Sequence, residues 1–405
     1  MAVVRRFTHN DSLVQTAMDG VNWTMTYHGA ASGTVLADER LVGLSPFAGS
    51  ELCTSVETMY SLSYLYQTMG NNYYADRAEL AAFKSLPAML TPDWWARQYM
   101  QQPNQPYAEN LTKTPFYNTN SWGQTFGLEP NYPCCTVNHP QGWPKFLSNS
   151  YAQVGDNSVA HMLLSPGSTQ VKLASGSVNV SCETGYPFMD TLSYIVTADA
   201  DMEFYVRVPA WAGEDSSVRV LFNESTRLSP DSLTGLHKLS LAKGTSNISY
   251  VLTSSIRTEP RANETIAVYN GAVLYALDVT NTNTSTSPKP YNHPDEYFNA
   301  SYAPPESRDW EYHNTSAWNI AIDPSTLTFH ALNDFADPIF APDSGLSYIT
   351  AQGCEIDWPL WEGSVPGYPP TGDAKKCIGE VKEVKLLPYA SVKTHMAELP
   401  TIDLS

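Results

Sequence analysis

The hydrophobic pattern of this chain changes once, near residue 155. Before that point apolar side chains recur at helical spacing, and after it they alternate with polar side chains in short runs separated by turn residues. Recurrence every three to four residues or so predicts amphipathic helices, and alternation predicts strands with one buried face. We therefore predict a multidomain α+β chain, in which a helical part is followed by antiparallel β-sandwich domains.

The helical part contains three segments with a consistent apolar face. The predicted helices cover residues 50–70, 75–86 and 144–154. No clear long helix is predicted between residues 7 and 49. The irregular stretch 98–140 is rich in Asn, Gln, Pro and Tyr, and long loops of this kind in compact domains are usually functional or disordered. Its aromatic content favours function.

The same pattern divides the chain into four segments. Residues 1–155 form the helical part, 156–278 a β-sandwich, 279–317 an exposed glycosylated insertion, and 318–405 the remaining strands that complete a sandwich. The insertion is identified by its Asn, Thr, Ser and Pro content and by three Asn-x-Ser/Thr sequons.

Charge and composition exclude several kinds of partner. The formal net charge of −18 repels nucleic acid and anionic membranes, so neither is expected to bind. No apolar run approaches the length of about 20 residues that spans a bilayer, and the first residues lack the apolar segment of a secretory signal. Ten sequons nevertheless indicate passage through a secretory pathway, so we expect a secreted glycoprotein whose oligomeric state is open. The sequons are at Asn10, Asn22, Asn110, Asn179, Asn223, Asn247, Asn263, Asn283, Asn299 and Asn314.

The six cysteines have different surroundings. Cys354 and Cys377 lie close together in a loop-rich stretch and are the natural disulfide pair. Cys182 lies in an alternating, strand-like run and is expected to be a buried thiol. The other three need a different explanation.

Those three are Cys53, in the run Glu51-Leu-Cys53, and the adjacent pair Cys134-Cys135. One carboxylate and three thiolates make a closed tetrahedral site suited to zinc. Since residues i and i+2 do not share a helix face, Glu51 and Cys53 are expected to converge from a turn just ahead of the helix, and the pair from an irregular loop. A disulfide between Cys53 and one of the pair is the competing interpretation, and the spacing leaves both open.

Further short runs resemble a known family. They are Asp38-Glu39-Arg40-Leu41, Gly43-Leu44-Ser45-Pro46, Glu51-Leu52-Cys53-Thr54, Tyr99, Gln102-Pro103-Asn104-Gln105, Phe126-Gly127-Leu128-Glu129-Pro130, Cys134-Cys135-Thr136, Asn138, Gln141-Gly142-Trp143-Pro144-Lys145-Phe146, Arg207-Val208-Pro209-Ala210-Trp211 and Leu387-Pro388-Tyr389. In these runs the chain resembles the zinc- and cysteine-dependent β-L-arabinofuranosidase family of glycoside hydrolases, and it looks closest to the eukaryotic, largely fungal branch.

The resemblance implies a site and a reaction. Zn²⁺ would be held by Glu51, Cys53, Cys134 and Cys135, with Cys134 as the nucleophile of a retaining hydrolysis of cell-wall glycans. Glu39 is expected to be the proton donor and base, with its neighbour Asp38 as the alternative. The carbohydrate substrates implied are β-L-arabinofuranosides.

The resemblance also implies an (α/α)6 catalytic barrel, of which residues 1–155 would be the C-terminal part. We expect the chain to lack the N-terminal part of that barrel, with loss of activity as one consequence. Tyr99 and His139 are candidate substrate contacts, and His139 could also bind metal. A lone tyrosine is more often a packing residue, and a histidine such as His139 is more often structural. The alternative function is a non-catalytic secreted protein, carbohydrate-binding or structural, with a structural Cys/Glu zinc site.

Overall fold

The chain folds into short helical segments and many antiparallel strands. The computed structural model describes residues 1–220, 223–289, 300–332 and 335–405, and the sequon at Asn299 lies outside them. Within these ranges no helix combines the length and the apolar character needed to cross a membrane. The predicted mixed α+β class is confirmed.

The helices agree only in part with the prediction. The α-helices of the described residues are Ala2–Thr8, Ser12–His28, Leu52–Met69, Asn72–Leu80, Leu86–Ala88, Cys134–Asn138 and Gly142–Leu147. A π-helical turn, Ala81–Ser85, joins two of them. Single 3-10 turns are at His139–Gln141, Ala262–Glu264, Ala300–Tyr302, Pro324–Thr326, Gly372–Ala374 and Tyr389–Ser391.

Two helix predictions are wrong. Residues 7–49 contain the 17-residue helix Ser12–His28, which the pattern missed because nearly all its side chains keep some exposure, so it carries no clear apolar stripe. The third predicted helix ends at Leu147. Beyond it, Tyr151–Gln153 is a strand that pairs with Ser158–His161, so sheet pairing overrides the local helical pattern.

The chain forms two compact units whose segments interleave along the sequence. The first comprises residues 1–17, 59–79 and 142–255, and the second comprises 18–58, 80–141 and 256–405.

The first unit contains a β-sandwich. Its larger sheet has the strand order Thr226–Arg227, Ser217–Val220, Gly244–Val251, Thr191–Ala198, Gly176–Thr184 and Gly167–Leu173. Its smaller sheet has the order Leu236–Leu241, Met202–Arg207, Ser158–His161 and Tyr151–Gln153, and the second and third of these strands run parallel. Side chains alternate strictly between exposed and buried along Thr191–Ala198. Contact between Tyr194 and Phe204, with ring centroids 5.5 Å apart, joins the two inner faces.

One buried arginine ties this sandwich to a helix of the same unit. Arg207 has no exposed surface, and its Nη1 donates to Asp76 at 2.5 Å and to Asn72 at 3.0 Å. A second carboxylate, Glu79, pairs with Arg207 and accepts a hydrogen bond from the Tyr186 hydroxyl. The Arg-Val-Pro-Ala-Trp run therefore has a structural role, because a buried guanidinium needs such partners.

The second unit is built on a large antiparallel sheet. Its main path has the order Ile256–Arg261, Thr265–Asn270, Val273–Asp278, Lys382–Pro388, Tyr348–Glu355 and Ile320–Ile322, and the strands Thr328–His330, His395–Met396, Leu399–Pro400 and Asn104–Gln105 pair beside this path. Separate two-stranded pairs are Ser50–Glu51 with Met100–Gln101, Asn281–Thr286 with Asp309–Asn314, and Leu360–Trp361 with Val365–Pro366. Tyr269 on this sheet and Tyr389 in the 3-10 turn after it pack with Ala88 and Leu80 in a buried cluster. The predicted disulfide between Cys354 and Cys377 is present.

A network of buried glutamines fixes the long irregular stretch 98–140. Gln124 Nε2 donates to Gln102 Oε1 at 2.7 Å, and Gln98 Nε2 donates to the backbone oxygen of Gln124 at 2.6 Å. Gln105 Nε2 donates to the Lys393 carbonyl at 3.1 Å. These side chains are at most 2% exposed, and because buried amides must be satisfied, they hold the loop in one conformation.

Candidate metal centre

One carboxyl and three thiol side chains converge in the second unit. The ligand atoms of Glu51, Cys53, Cys134 and Cys135 all lie within 4.8 Å of one another. The Sγ atoms of Cys53 and Cys135 are 3.3 Å apart, and those of Cys134 and Cys135 are 3.9 Å apart. Glu51 Oε1 lies 3.4 Å from Cys134 Sγ and 3.6 Å from Cys135 Sγ. The fold thus brings together the four residues that the sequence suggested as ligands.

This donor set suits a divalent cation. A tetrahedral zinc ion with bonds of about 2.3 Å to sulfur and about 2.1 Å to oxygen separates its ligand atoms by about 3.6 to 3.8 Å. Four of the six separations, at 3.3 to 3.9 Å, are close to that shell, and all six are within 4.8 Å. A disulfide would require about 2.05 Å between two sulfurs. The competing disulfide of Cys53 is therefore not formed, and all three cysteines are free thiols.

Strand pairing positions Glu51 and Cys53. The short strand Ser50–Glu51 pairs with Met100–Gln101, and the Glu51 amide donates to the Ala37 carbonyl at 3.1 Å. Cys53 is the second residue of the helix Leu52–Met69. The two side chains reach one point because the backbone changes from strand to helix between them. The expected turn ahead of the helix is wrong, since Glu51 lies in the strand and Cys53 in the helix.

The vicinal pair begins a short helix. Cys134 and Cys135 are the first residues of Cys134–Asn138, so the expectation of an irregular loop is wrong. Adjacent helical residues diverge, and here Cys134 is exposed whereas Cys135 is fully buried. The nucleophile suggested from the sequence is therefore the most exposed of the three cysteines.

The four ionisable side chains of the cluster differ in the direction of their pKa shifts. The pKa of the Cys134 thiol lies well below its usual range, because Cys135 and Cys53 hydrogen-bond to its sulfur. The hydrogen bond with Cys134 raises the pKa of Cys53, and burial raises that of Cys135. Burial also raises the pKa of Glu51 to about 7. Cys134 is thus the group of the cluster that ionises most readily.

The two candidate carboxylates near the cluster have different environments. Asp38 is buried and accepts a hydrogen bond from the Tyr117 amide at 2.8 Å. Glu39 is exposed, has a left-handed backbone with φ of 68°, and accepts a hydrogen bond from the Tyr99 hydroxyl. Glu51 experiences the charge of Glu39. Strained backbone of this kind concentrates at functional sites, and of the two carboxylates Glu39 is the one that solvent reaches.

The predicted substrate contacts lie near the cluster. Tyr99 has no exposed surface. His139 is half-buried, with Nδ1 3.2 Å from the Cys135 carbonyl oxygen, and burial lowers its pKa. Sugar contact by either residue stays a prediction.

Sequence reasoning missed Arg97. It is 1% exposed and donates to both flanks of the vicinal pair, the Tyr132 carbonyl and the Thr136 hydroxyl. The signal was a single charged residue in the run Trp94-Trp95-Ala96-Arg97-Gln98, with no periodicity to set it apart.

The fold is similar to that of three solved structures of glycoside hydrolases. No family model matches the sequence, and no curated protein matches it. Among solved structures, a GH127 β-L-arabinofuranosidase from Geobacillus stearothermophilus T6 superposes with a TM-score of 0.67 at 14% identity, over 99% of this chain and 59% of that chain. A second GH127 β-arabinofuranosidase gives a TM-score of 0.67 at 16% identity, over 99% and 58%. A protein described as a glycoside hydrolase gives 0.61 at 14% identity, over 89% and 53%. The chain therefore spans between half and three fifths of the length of these structures.

Proposed function

We propose that this chain is a retaining glycoside hydrolase that uses a zinc-bound cysteine as its nucleophile. The observation that carries the proposal is the convergence of Glu51, Cys53, Cys134 and Cys135 within 4.8 Å, with Cys134 as the exposed member of the three cysteines. The likeness to GH127 β-L-arabinofuranosidases supports carbohydrate as the substrate class and β-L-arabinofuranosides as the first substrates to test.

In the proposed reaction Cys134 and Glu39 have separate roles. The Cys134 thiolate attacks the anomeric carbon, and Glu39 donates a proton to the leaving glycosidic oxygen. The thioglycosyl intermediate is then hydrolysed by water, from which Glu39 takes a proton, so the configuration at the anomeric carbon is retained. A bound zinc ion would supply positive charge that keeps the thiol ionised at ambient pH.

A structural metal site is the second candidate. Four protein ligands fill a tetrahedral shell, which is typical of structural zinc, whereas catalytic sites usually keep one open position. The exposure of Cys134 favours the catalytic role, and the closed ligand set favours the structural role.

Replacing Cys134 by Ser separates the two candidates. We expect purified native protein to contain one zinc per chain and to hydrolyse one member of a panel of aryl furanosides and pyranosides. Cys134→Ser is expected to reduce hydrolysis to background while circular dichroism and the unfolding midpoint change little. Loss of zinc and of stability together would instead indicate a structural site. Cys182→Ser, which alters a buried thiol of the first unit, is the matched control.

We also propose that the protein is secreted, that it divides into segments 1–155, 156–278, 279–317 and 318–405, and that residues 1–155 are part of an (α/α)6 barrel.

A further inference from the structure

Arg97 is a buried cation that holds the segment carrying the vicinal cysteines. Its guanidinium donates to the Tyr132 carbonyl at 2.8 Å and to Thr136 Oγ1 at 2.8 and 3.2 Å. These acceptors lie on either side of Cys134 and Cys135, so one side chain spans the segment that carries two proposed ligands.

Its backbone position is also fixed. The Arg97 amide donates to the Gly127 carbonyl at 3.0 Å, and the Gly127 amide donates back at 2.9 Å. A Cβ atom at Gly127 would lie 2.4 Å from Asp309 Oδ1, so a larger residue at this position would have to displace the Asp309 side chain. The guanidinium therefore has little freedom to move away from the cysteines.

Hydrogen bonds alone do not explain why the positively charged Arg97 guanidinium is buried here. Nη1 is buried and finds no hydrogen-bond partner among the described residues. Cys135, Cys134, Glu129 and Cys53 supply the favourable electrostatic interactions of the guanidinium. A side chain used only as a tether would not need a charge, and burying one is costly unless it is compensated.

A metal shell of three thiolates and one carboxylate supplies that compensation. Such a shell carries two more negative charges than a divalent cation neutralises, and the surplus is buried with Cys135. We infer that Arg97 is a positioning residue whose fixed positive charge balances this surplus and so sustains metal affinity. This inference rests on the proposed zinc site, not on the proposed hydrolysis.

Zinc affinity tests the inference directly. The full chain, loaded with zinc, is titrated with a chromogenic chelator to obtain the zinc dissociation constant, and unfolding by urea is followed in parallel. Arg97→Met removes the charge and should weaken zinc binding about 10- to 100-fold, the range typical of residues that support metal ligands. Arg97→Lys keeps the charge and Thr136→Val keeps the guanidinium, so both should bind within about threefold of the native affinity.

The test also needs a matched control variant and a statement of the results that would contradict the inference. Arg261 is also largely buried in the second unit and pairs with Glu398, so Arg261→Met should lower stability without changing zinc affinity. The inference fails if Arg97→Met binds zinc as tightly as the native chain. It also fails if Arg97→Lys and Thr136→Val lose as much zinc affinity as each other, since the loss of the tether would then be the cause. The comparison of these two variants can be made even if Arg97→Met does not fold. A native chain that holds no zinc would overturn both proposals, whereas one that holds zinc without hydrolysing any glycoside would overturn only the proposed function.

Discussion

The hydroxyl of buried Tyr99 donates a hydrogen bond to the carboxylate of exposed Glu39. Tyr99 therefore orients the Glu39 carboxylate from the protein interior, while Glu39 itself is exposed to solvent. The contact also offsets the left-handed backbone of Glu39.

Removing that hydroxyl should reduce activity more than stability. A hydrogen bond to a charged group contributes about 1.5–3 kcal/mol, so Tyr99→Phe should lower kcat/KM about 10- to 100-fold if Glu39 must be held in place. The unfolding midpoint should change less than this energy implies, because Glu39 is exposed, so water can replace the hydrogen bond, and the ring stays buried. Steady-state kinetics and urea unfolding measure the two effects. Unchanged kcat/KM would show that Glu39 does not need this contact, and Glu39→Gln gives the reference for complete loss of its role.

Thiol reactivity should follow burial. With zinc removed by a chelator, brief alkylation should label Cys134 first, then Cys53, and leave Cys135 and Cys182 largely unmodified, since the last two are buried. Zinc should protect the first three. Peptide mass mapping gives the order, and thiol titration in denaturant should give four free thiols per chain, in keeping with the single Cys354–Cys377 disulfide. Two thiols instead of four would restore the disulfide interpretation of Cys53.

The glutamine network should be sensitive to a single substitution. Gln124→Leu leaves the side-chain oxygen of Gln102 buried without its donor, and an unsatisfied buried polar atom costs about 1–3 kcal/mol. Urea unfolding should show a loss of that size. Gln170→Leu, at an exposed strand position, should be nearly neutral. Equal effects of the two substitutions would mean that the network contributes nothing specific.

Buried Lys393 should make stability depend on pH. Burial lowers the pKa of Lys393 from 10.5 to about 7, and its Nζ donates to the carbonyls of Pro87 and Ala390. Between pH 7 and 10.5 the unfolded chain then binds the proton that the folded chain has released, so the Lys393 contribution to stability rises with pH, by at most about 1.4 kcal/mol per pH unit.

Lys393→Met should remove this dependence. The free energy of unfolding of the native chain relative to the variant should increase from about pH 7 to about pH 10, as measured by urea unfolding. The exposed Lys376→Met is the control and should show a constant difference. A constant difference for Lys393→Met as well would show that the folded chain keeps Lys393 charged.

Two sequons should carry glycans on one face of the sandwich. Asn179 is opposite Thr197, and Asn247 is opposite Ile195, on the strands that flank Thr191–Ala198. Both asparagines are exposed, as is half of Ile195 between them, so glycans there would cover this apolar side chain. Expression in a eukaryotic secretory host, followed by glycopeptide mass mapping, should find both sites occupied. Asn179→Gln and Asn247→Gln should each remove one glycan, and unmodified peptides at both positions would contradict the prediction.

The sequence predicts the types of secondary structure better than the positions of the individual helices and strands. Alternating runs such as Thr191–Ala198 reveal their strands because each has one buried face. The helix Ser12–His28 was missed because few of its side chains are buried, and the strand Tyr151–Gln153 because its partner decides its form.

The site shows the same division. The residue types at positions 51, 53, 134 and 135 suit a zinc site, but their spacing leaves a disulfide of Cys53 equally open, and the fold is what brings the four residues together. Long-range contacts decide the rest. Nothing local in the sequence reveals that Arg97 reaches Thr136, or that Tyr99 supports Glu39.

The short distance between Cys53 and Cys135 exposes the chain to a chemical hazard during maturation. Their sulfurs are 3.3 Å apart, so a shift of little more than an ångström would join them at the bond length of about 2.05 Å. An oxidant that arrives before the cation would join these two sulfurs in a disulfide, so that two of the four ligand atoms could not bind the metal. For the proposed metal site, the order of the two encounters, oxidant and metal, thus determines whether a newly folded copy binds the ion before its thiols are oxidised.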